Sequence, residues 1–474
     1  MTGEAPSDVL WHYNLSARHL DKLCERVDTF SVSGDGERLV VRHRDDTIVV
    51  PSSHKVDDDD PAYIRVDLTR LRRTVNPRAE WRQMFDENGR LMASHYWRED
   101  MNGVDWDSVL NRYRPLVDLC HVVDDLHDIL WETVAELNTS HSYVSASGAA
   151  GDSDMRAGLL GADVSSGNDG AKVVRVIPGE SSDPRAWSPL RAAGVAVTEG
   201  DVIVAVDGRK VGADGNLGEL LEGSAGRVVE LTVRRGENER QVAVVPMADE
   251  APLRYHDWVA SRRRYVEEHS GGRLGYLHVP DMVSDGWAEL HRQIGEATRH
   301  EGVIADVRFN HGGHTSQLVV ERLARRVVGW DYSRWYATAD TYPQNAVRGP
   351  IVMVTNQWAG SDGDIVAAAT QAMGYAKVIG ERSWGGVVGI DGRFDLVDGT
   401  SVTQPRYAGW YGSYGWGVEN HGVDPDIVVT VSPEDWEADC DVQLDAAIAE
   451  CLRQLDDKPA ATAPELPGPA FDRC

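Results

Sequence analysis

From Leu253 to Leu455 two kinds of apolar segment alternate, and this alternation limits the fold more than any other feature of the chain. Arg273 to Val279, Val303 to Phe309, Ile351 to Val354 and Lys377 to Gly380 are apolar runs of strand length. Between and after them lie segments with helical spacing: Gly286 to His300, Ser316 to Val328, Ile365 to Met373 and Val442 to Leu455. A hairpin is expected from Phe394 to Tyr407, turning at Asp398-Gly399. Such an order predicts an α/β domain with a sheet between helices.

Within that domain, Gly349 to Val366 reads GPIVMVTNQWAGSDGDIV. A buried strand ends, a loop closes on Gly360, and Ser361 follows just before a helix. A helix N-terminus leaves backbone N–H groups free, and they favour negative charge developing beside them. Ser361 is therefore placed like the serine of a nucleophile elbow, although G-S-D-G lacks the G-x-S-x-G form. A serine that merely caps the helix fits the same pattern.

The preceding chain differs in texture. Thr29 to Pro51 carries short alternating strands around an S-x-D-G turn and a D-D turn, which looks like two or three strands of one β-propeller blade. The acidic run Asp57 to Asp60 is expected to be a solvated loop. Pro77 to Leu137 has the spacing of three or four helices, with a break expected at Tyr113-Arg114-Pro115. The last helix runs into Asn138-Thr139-Ser140-His141-Ser142-Tyr143. Ser147 to Asp154 is composed like a linker. Beyond it, Gly158-Leu159-Leu160-Gly161 pairs with GDVIVAVDGRKV and two further strand runs, an order that resembles a PDZ domain. Such domains offer loop N–H groups to a peptide's terminal carboxylate, and the peptide adds as a strand. A PDZ fold kept for packing, with its groove closed, is the alternative. After Asp456 the Pro- and Ala-rich tail is expected to be disordered.

The net charge of −28 argues against nucleic acid or an anionic membrane as the main partner. The five cysteines are scattered and form no C-x-x-C pair, which suits a reducing compartment without a cysteine zinc site. The opening MTGEAPSDVLWHYN lacks the regions of a leader, and no apolar run approaches a bilayer span, so the expected location is cytoplasmic.

Serine chemistry needs a base near the hydroxyl and a group that orients the base. His141, following Ser140 at a helix end, is the candidate base; a polar surface histidine is the plain alternative. Glu419, between glycines in WGVENHGVDPD, is a candidate orienting group. An oxyanion needs convergent N–H donors. Gly312-Gly313 lets backbone approach a ligand, and the Asp362 amide is the second candidate donor. A tight turn explains the glycines equally well. His311, His314 and His421 match no metal motif, and no nucleotide-binding loop occurs, so neither metal nor cofactor is expected.

Taken in order, T-S-H-S-Y, the PDZ-like insert, D-V-R-F-N-H-G-G-H, N-Q-W-A-G-S-D-G-D and V-E-N-H-G-V-D-P-D resemble the C-terminal core of the tricorn protease family. These are self-compartmentalising serine peptidases related to the C-terminal-processing peptidases. The resemblance implies a multidomain α/β plus β chain. Its parts are a remnant of the last β-propeller in 1–75, a helical core domain in 76–150, an inserted PDZ domain in 155–250, an α/β (crotonase/ClpP-like) catalytic domain in 251–455, and a disordered tail in 456–474. It implies Ser361 as nucleophile and His141 as general base, with Ser140 and Glu419 completing a tetrad. The amides of Gly313 and Asp362 would form the oxyanion hole. Gly312 and Asp331 would contribute to substrate binding, Asp331 reading a basic side chain before the scissile bond. The implied reaction is hydrolysis of peptides, such as products of the proteasome or other proteases, through an acyl-enzyme and without a cofactor. The implied partners are peptide substrates, further copies of the chain (hexameric in the family) and downstream aminopeptidases. The family carries two propellers before this core. Only the end of one is recognisable here, so a truncated gene product, a fragment or a reduced form is expected.

Two other functions fit parts of the pattern. A C-terminal-processing peptidase uses a lysine base in a G-K-G setting, but Gly386 stands at that place and Lys377 comes too early. A catalytically inactive PDZ scaffold that binds peptides is the third reading.

Overall fold

The computed structural model describes residues 8–43, 46–146, 155–167, 169–212, 215–335 and 337–466. Two units divide at residues 80 and 81. The expected linker, Ser147 to Asp154, lies outside the described residues.

The first unit is antiparallel β-structure. A hairpin, β1 (Val9–Asn14) with β2 (His19–Glu25), is followed by the four-stranded meander β3 (Thr29–Val32), β4 (Arg38–His43), β5 (Asp46–Pro51) and β6 (Ile64–Val66). Its small core comes from alternation: Leu39 and Val41 are buried between exposed neighbours on β4. Three of these strands are those expected from Thr29 to Pro51; β6 and the β1–β2 hairpin are additions.

The boundary falls in the first turn of α1 (Pro77–His95), which with α2 (Trp106–Val117) and α3 (Val123–Ala135) forms a helical layer. Pro115 does not break α2. The proline sits in the last turn, where its missing N–H removes one terminal bond, and the helix runs on to Val117. After α3 the chain passes through Ser140 and His141 into β7 (Val144–Ser145).

A compact insert follows, with β8 (Ala162–Gly167), β9 (Gly170–Val176), β10 (Val202–Val206), β11 (Arg209–Lys210), α4 (Leu217–Leu220), β12 (Val229–Arg235) and β13 (Asn238–Val244). The sheet order is β13-β12-β10-β9-β8, with β11 on β10, so β8 is an edge strand. The Gly158-to-Gly161 loop is already engaged from within. Gly158 N–H donates to Leu221 O and Leu159 N–H to Met247 O. Gly161 N–H donates to the Glu250 carboxylate at 3.1 Å.

The main core is built from α5 (Ala251–His269), β14 (Leu274–His278), α6 (Ser284–Ala297), β15 (Gly302–Asp306), α7 (Ser316–Leu323), β16 (Gly329–Asp331), β17 (Asp340–Tyr342), β18 (Ile351–Thr355), α8 (Asp362–Met373), β19 (Ala376–Gly380), β20 (Gly389–Asp391), β21 (Ser401–Val402), β22 (Gln404–Tyr407), β23 (Ile427–Val428), α9 (Pro433–Glu437) and α10 (Val442–Asp457). Strands β14-β15-β18-β19-β23 form one parallel sheet in chain order. β14, β15 and β18 are buried at every residue because both faces are covered. Alternate residues serve the two sides. Leu277, Ala305, Met353 and Val378 pack with α6, α7 and α8, whereas Tyr276, Ile304, Val352 and Ile379 pack with α5 and α10. The expected alternation is therefore present; α5 was not among the expected helices.

The expected hairpin from Phe394 to Tyr407 is replaced by two separate pairings. β21 pairs with β7, and β22 pairs with β20. Locally there remain a tight turn, Leu396 N–H to Thr400 O, and one antiparallel bridge, Asp395 with Ser401, around Asp398-Gly399. Nonlocal partners take the strand residues beyond that bridge, and the result joins the segment after His141 to the main core. Thr403 reinforces the join. Its hydroxyl donates to His141 O at 2.8 Å and accepts from Tyr143 N–H at 2.7 Å. Leu396 and Val402 enter the core of the helical layer. Disorder from Asp456 onward does not describe 456–466. The helix continues to Asp457, Ala461 N–H bonds Arg348 O, and the Tyr332 hydroxyl bonds Pro464 O.

Thr403→Val keeps the shape but leaves the Tyr143 N–H and the His141 carbonyl without this partner. Chemical denaturation should read a loss of about 1–3 kcal/mol; an unchanged midpoint would contradict the join.

Candidate active site

β18 ends the sheet's central run at Thr355, and the loop that follows is fixed by Asn356, whose side-chain oxygen accepts from Phe309 and Trp358 N–H. The chain then turns sharply into α8. Ser361 stands at the N-cap with φ 57° and ψ −121°, outside the ordinary regions for a residue with a side chain. Its side chain makes no cap bond, so the plain capping role is not what holds it there. The strain, on the order of 1–3 kcal/mol, is sustained by the surroundings. Ser361 lines a cavity of about 430 Å³ together with His141, Tyr143, Asn310, Gly313 and Trp384.

The glycine pair past β15 lies against this serine. A Cβ on Gly312 would fall 2.5 Å from Ser361 Cβ, so only glycine allows the approach. Buried Asn310 shapes the turn: its oxygen accepts from Gly312 N–H at 2.9 Å, and its amide donates to Val279 O. Gly312 O and the His314 N–H are taken up by Met282, which leaves Gly313 N–H free of any acceptor among the described residues. The Asp362 N–H, first in α8, is equally unpaired among them. The Asp362 carboxylate points elsewhere and accepts from Ser316 N–H at 3.0 Å.

His141 is brought in from the helical layer and is 6% exposed. Its Nδ1 lies 3.1 Å from Ser140 Oγ. Glu419 does not reach that hydroxyl. One of its oxygens accepts from Ser140 backbone N–H at 2.8 Å, and the other from Val387 and Val388 N–H at 2.8 and 2.9 Å. The carboxylate thus staples the His141 segment to the loop before β20. Burial pulls the His141 pKa below its ordinary value, and the Glu419 charge partly opposes this. The imidazole is therefore held neutral at neutral pH. Among the described residues no hydrogen bond joins Ser361 Oγ to His141.

Trp384 completes the wall. It meets His141 edge to face, with ring centroids 5.4 Å apart. Its loop hangs on buried Asp364, which accepts from the Ser383 hydroxyl and from Gly385 and Gly386 N–H. Burial raises the Asp364 pKa to about 6. Neither residue stood out in the sequence; the available signals were D-G-D directly after Ser361 and an aromatic before two glycines. A Cβ on Gly386 would fall 2.2 Å from Trp384 and 2.9 Å from Ser140 Oγ, so no lysine fits at that place.

Ser361, His141, Ser140, Glu419, Gly312, Gly313 and Asp362 are thus brought together. Asp331 is not. It lies exposed on the β16–β17 ribbon, paired across from Asp340, and does not line the Ser361 cavity. His421 pairs with Asp424 instead of joining His311 and His314.

Comparison with known proteins follows the same division of the chain. The tricorn protease C1 domain matches residues 77–135, the tricorn protease PDZ domain 158–249, and peptidase family S41 residues 273–429. Tricorn protease homolog 1 of Streptomyces coelicolor is 56% identical over 98% of this chain and 44% of its own length. The tricorn protease of Thermoplasma acidophilum is 35% identical over 96% of this chain and 42% of its own. A crystal structure of the tricorn protease superimposes with a TM-score of 0.86 at 34% identity, covering 94% of this chain and 43% of that one. The chain therefore spans less than half the length of these relatives.

The geometry at His141 sets a pH dependence. Base catalysis needs the neutral ring, which persists until the pH falls through the lowered His141 pKa. Modification of Ser361 by a serine-reactive phosphonate should thus keep its rate below pH ~6.5, the ordinary histidine value. Glu419→Gln removes the charge that raises the pKa and should move the midpoint lower still. A midpoint above 6.5, or an upward move, would contradict the assignment.

Proposed function

The chain belongs to the tricorn protease family as its C-terminal core, and on that premise we propose that it is a serine peptidase that cleaves peptides through an acyl-enzyme on Ser361. One observation carries the reading. A strained serine at a helix N-terminus shares a cavity with a buried histidine and lies beside two unused backbone donors.

In this mechanism Ser361 Oγ attacks the peptide carbonyl while His141 Nε2 takes its proton. The ring can accept because burial keeps it neutral and because Ser140 Oγ, 3.1 Å from Nδ1, suits the tautomer that carries its proton on Nδ1 and leaves Nε2 free. Negative charge grows on the carbonyl oxygen, and the Gly313 and Asp362 N–H groups hold it, assisted by the α8 N-terminus. His141 then protonates the leaving amine, and the same base activates the water that releases the acyl group. Glu419 acts on the ring through the backbone it pins and through its charge. The hydrogen bond from Ser361 Oγ to His141 forms in the substrate complex, in which Oγ faces the carbonyl carbon on one side and Nε2 on the other.

The same premise extends to architecture and partners. The β3–β6 meander is taken as the end of a propeller, and the sheet domain as crotonase/ClpP-like. Substrates are peptides left by other proteases, products pass to aminopeptidases, and copies of the chain assemble into an oligomer. No helix among the described residues is long and apolar enough to cross a membrane. A purely peptide-binding scaffold is disfavoured by the occupied donors of the Gly158-to-Gly161 loop.

Labelling by a peptidyl phosphonate, read by intact mass, tests the reading. One adduct is expected, lost in Ser361→Ala. His141→Ala should lower kcat on a peptide by a factor on the order of 10⁴–10⁶. Equal labelling of the protein and Ser361→Ala would overturn the peptidase assignment.

A further inference from the structure

A cavity of about 500 Å³ lies at the amino end of β18, whereas Ser361 follows the carboxyl end of the same strand. Gly349, Pro350 and Ile351 form part of its wall. Four cations line it: Arg325, Arg326, Arg348 and Lys458. The chain carries 76 acidic and only 48 basic residues, yet among the described residues no carboxylate pairs with any of the four. Asp456 and Asp457, just before Lys458, are committed elsewhere: Asp457 pairs with Arg453 and Asp456 with Arg273. Arg348 is held in place without being neutralised. Its guanidinium donates to the carbonyls of Arg299 at 2.7 Å and Ala461 at 3.3 Å. Arg299, also without a carboxylate partner among the described residues, carries the same sign into an adjoining cavity of about 980 Å³ that shares Arg348. Helix ends account for part of this charge. Ala324, Gly374 and Lys458 close α7, α8 and α10, and all three line the smaller cavity. Each helix end presents about half a negative charge, so a surplus of about two to three positive charges is left.

We propose that this cavity binds an oligophosphate, a short linear anion of several phosphoryl groups, at a site separate from the peptide cleft. No residue that lines it also lines the Ser361 cavity. Guanidinium and ammonium groups suit phosphoryl oxygens, Arg through its planar fork and Lys as a point charge. The charge surplus calls for an anion of two or more charges. Its cations come from three places, past α7, at the entry to β18 and at the end of α10. A chain of phosphoryl groups reaches several of them at once, which one small anion does not. Arg348 is already fixed by two carbonyls, so less ordering is needed when a ligand binds. Nucleic acid is a poorer occupant, although it too is a polyphosphate. A long polyanion meets the field of the −28 net charge beyond the cavity. A short one is held by cations within about one Debye length, ~10 Å at 0.1 M salt.

Tripolyphosphate is titrated into the full chain by calorimetry, without divalent metal. One saturable site is expected, with an affinity that falls as salt is raised. Lys458→Gln should weaken binding about tenfold, as one charge-assisted bond implies, and Arg325→Gln combined with Arg326→Gln should weaken it further. Arg191→Gln, which removes an exposed arginine of the insert, should leave the affinity unchanged. Melting temperatures guard against misfolding. Tripolyphosphate should raise that of the unaltered protein. The cavity variants should keep the ligand-free value and lose the rise. Adenosine triphosphate identifies the source of the phosphate chain. Tighter binding than tripolyphosphate assigns the site to a nucleoside triphosphate, and weaker binding assigns it to a free oligophosphate. Citrate, multiply charged but without phosphoryl groups, should bind at least about tenfold more weakly. No saturable binding of tripolyphosphate at millimolar concentration, an affinity unchanged in the cavity variants, an equal loss in Arg191→Gln, or citrate bound as tightly would overturn the proposal. None of these readouts depends on the chemistry of Ser361.

Discussion

The site depends on the carboxylate of Glu419. It accepts three backbone N–H groups, from Ser140, Val387 and Val388, and Ser140 lies 279 residues away in sequence. Charge-assisted bonds of this kind contribute roughly 1.5–3 kcal/mol each. The same charge lies close enough to His141 to oppose the effect of burial on its pKa. One side chain therefore sets both where the imidazole stands and how readily it takes a proton. A relay running through side-chain atoms from Glu419 to His141 is not needed. The geometry passes through the backbone.

Ser361 is held by different means. Ser361 rests on the parallel sheet and on α8, with Gly312 pressed against its Cβ and its loop closed by Asn356 and Asn310. Asp364, one turn into α8, reaches back to the loop that carries Trp384 against His141. The strained backbone at Ser361 is thus braced, outside its cavity, by groups with partners of their own. His141 and Ser361 come from separate layers that meet through β7–β21, Thr403 and Glu419.

How much of this was legible in the sequence varied with range. The strand-turn-helix at Ser361 and the glycine pair are local patterns, and the chain folds there as its spacing predicts. The period of the sheet strands was equally plain, since burial on both faces leaves unbroken apolar runs. His141 carried one weak local sign, Ser140 before it at a helix end, because the groups that fix its segment, Thr403 and Glu419, are far off in sequence. The ordered set of motifs in the family resemblance strengthened it. The same lack of range accounts for the misread hairpin: Ser401–Val402 has as good a partner in β7 as in its neighbours. Pro115 was read as a break because a motif gives no position within a helix. Asp331 was carried over by resemblance alone, and the fold leaves it outside the cavity. The tryptophans at 358 and 384 looked like ordinary loop aromatics until the Ser361 cavity defined their faces.

The convergence of three distant segments on one reacting carbon is the central claim, and the crystal structure of the phosphonate adduct tests it most directly. The account predicts phosphorus bonded to Ser361 Oγ, with one phosphoryl oxygen about 2.7–3.1 Å from the N–H groups of Gly313 and Asp362. It also predicts His141 Nε2 within hydrogen-bond reach of the adduct, with Glu419 still bound to the backbone of Ser140. An adduct whose oxygen points away from both amides, or a His141 ring directed elsewhere, would contradict it.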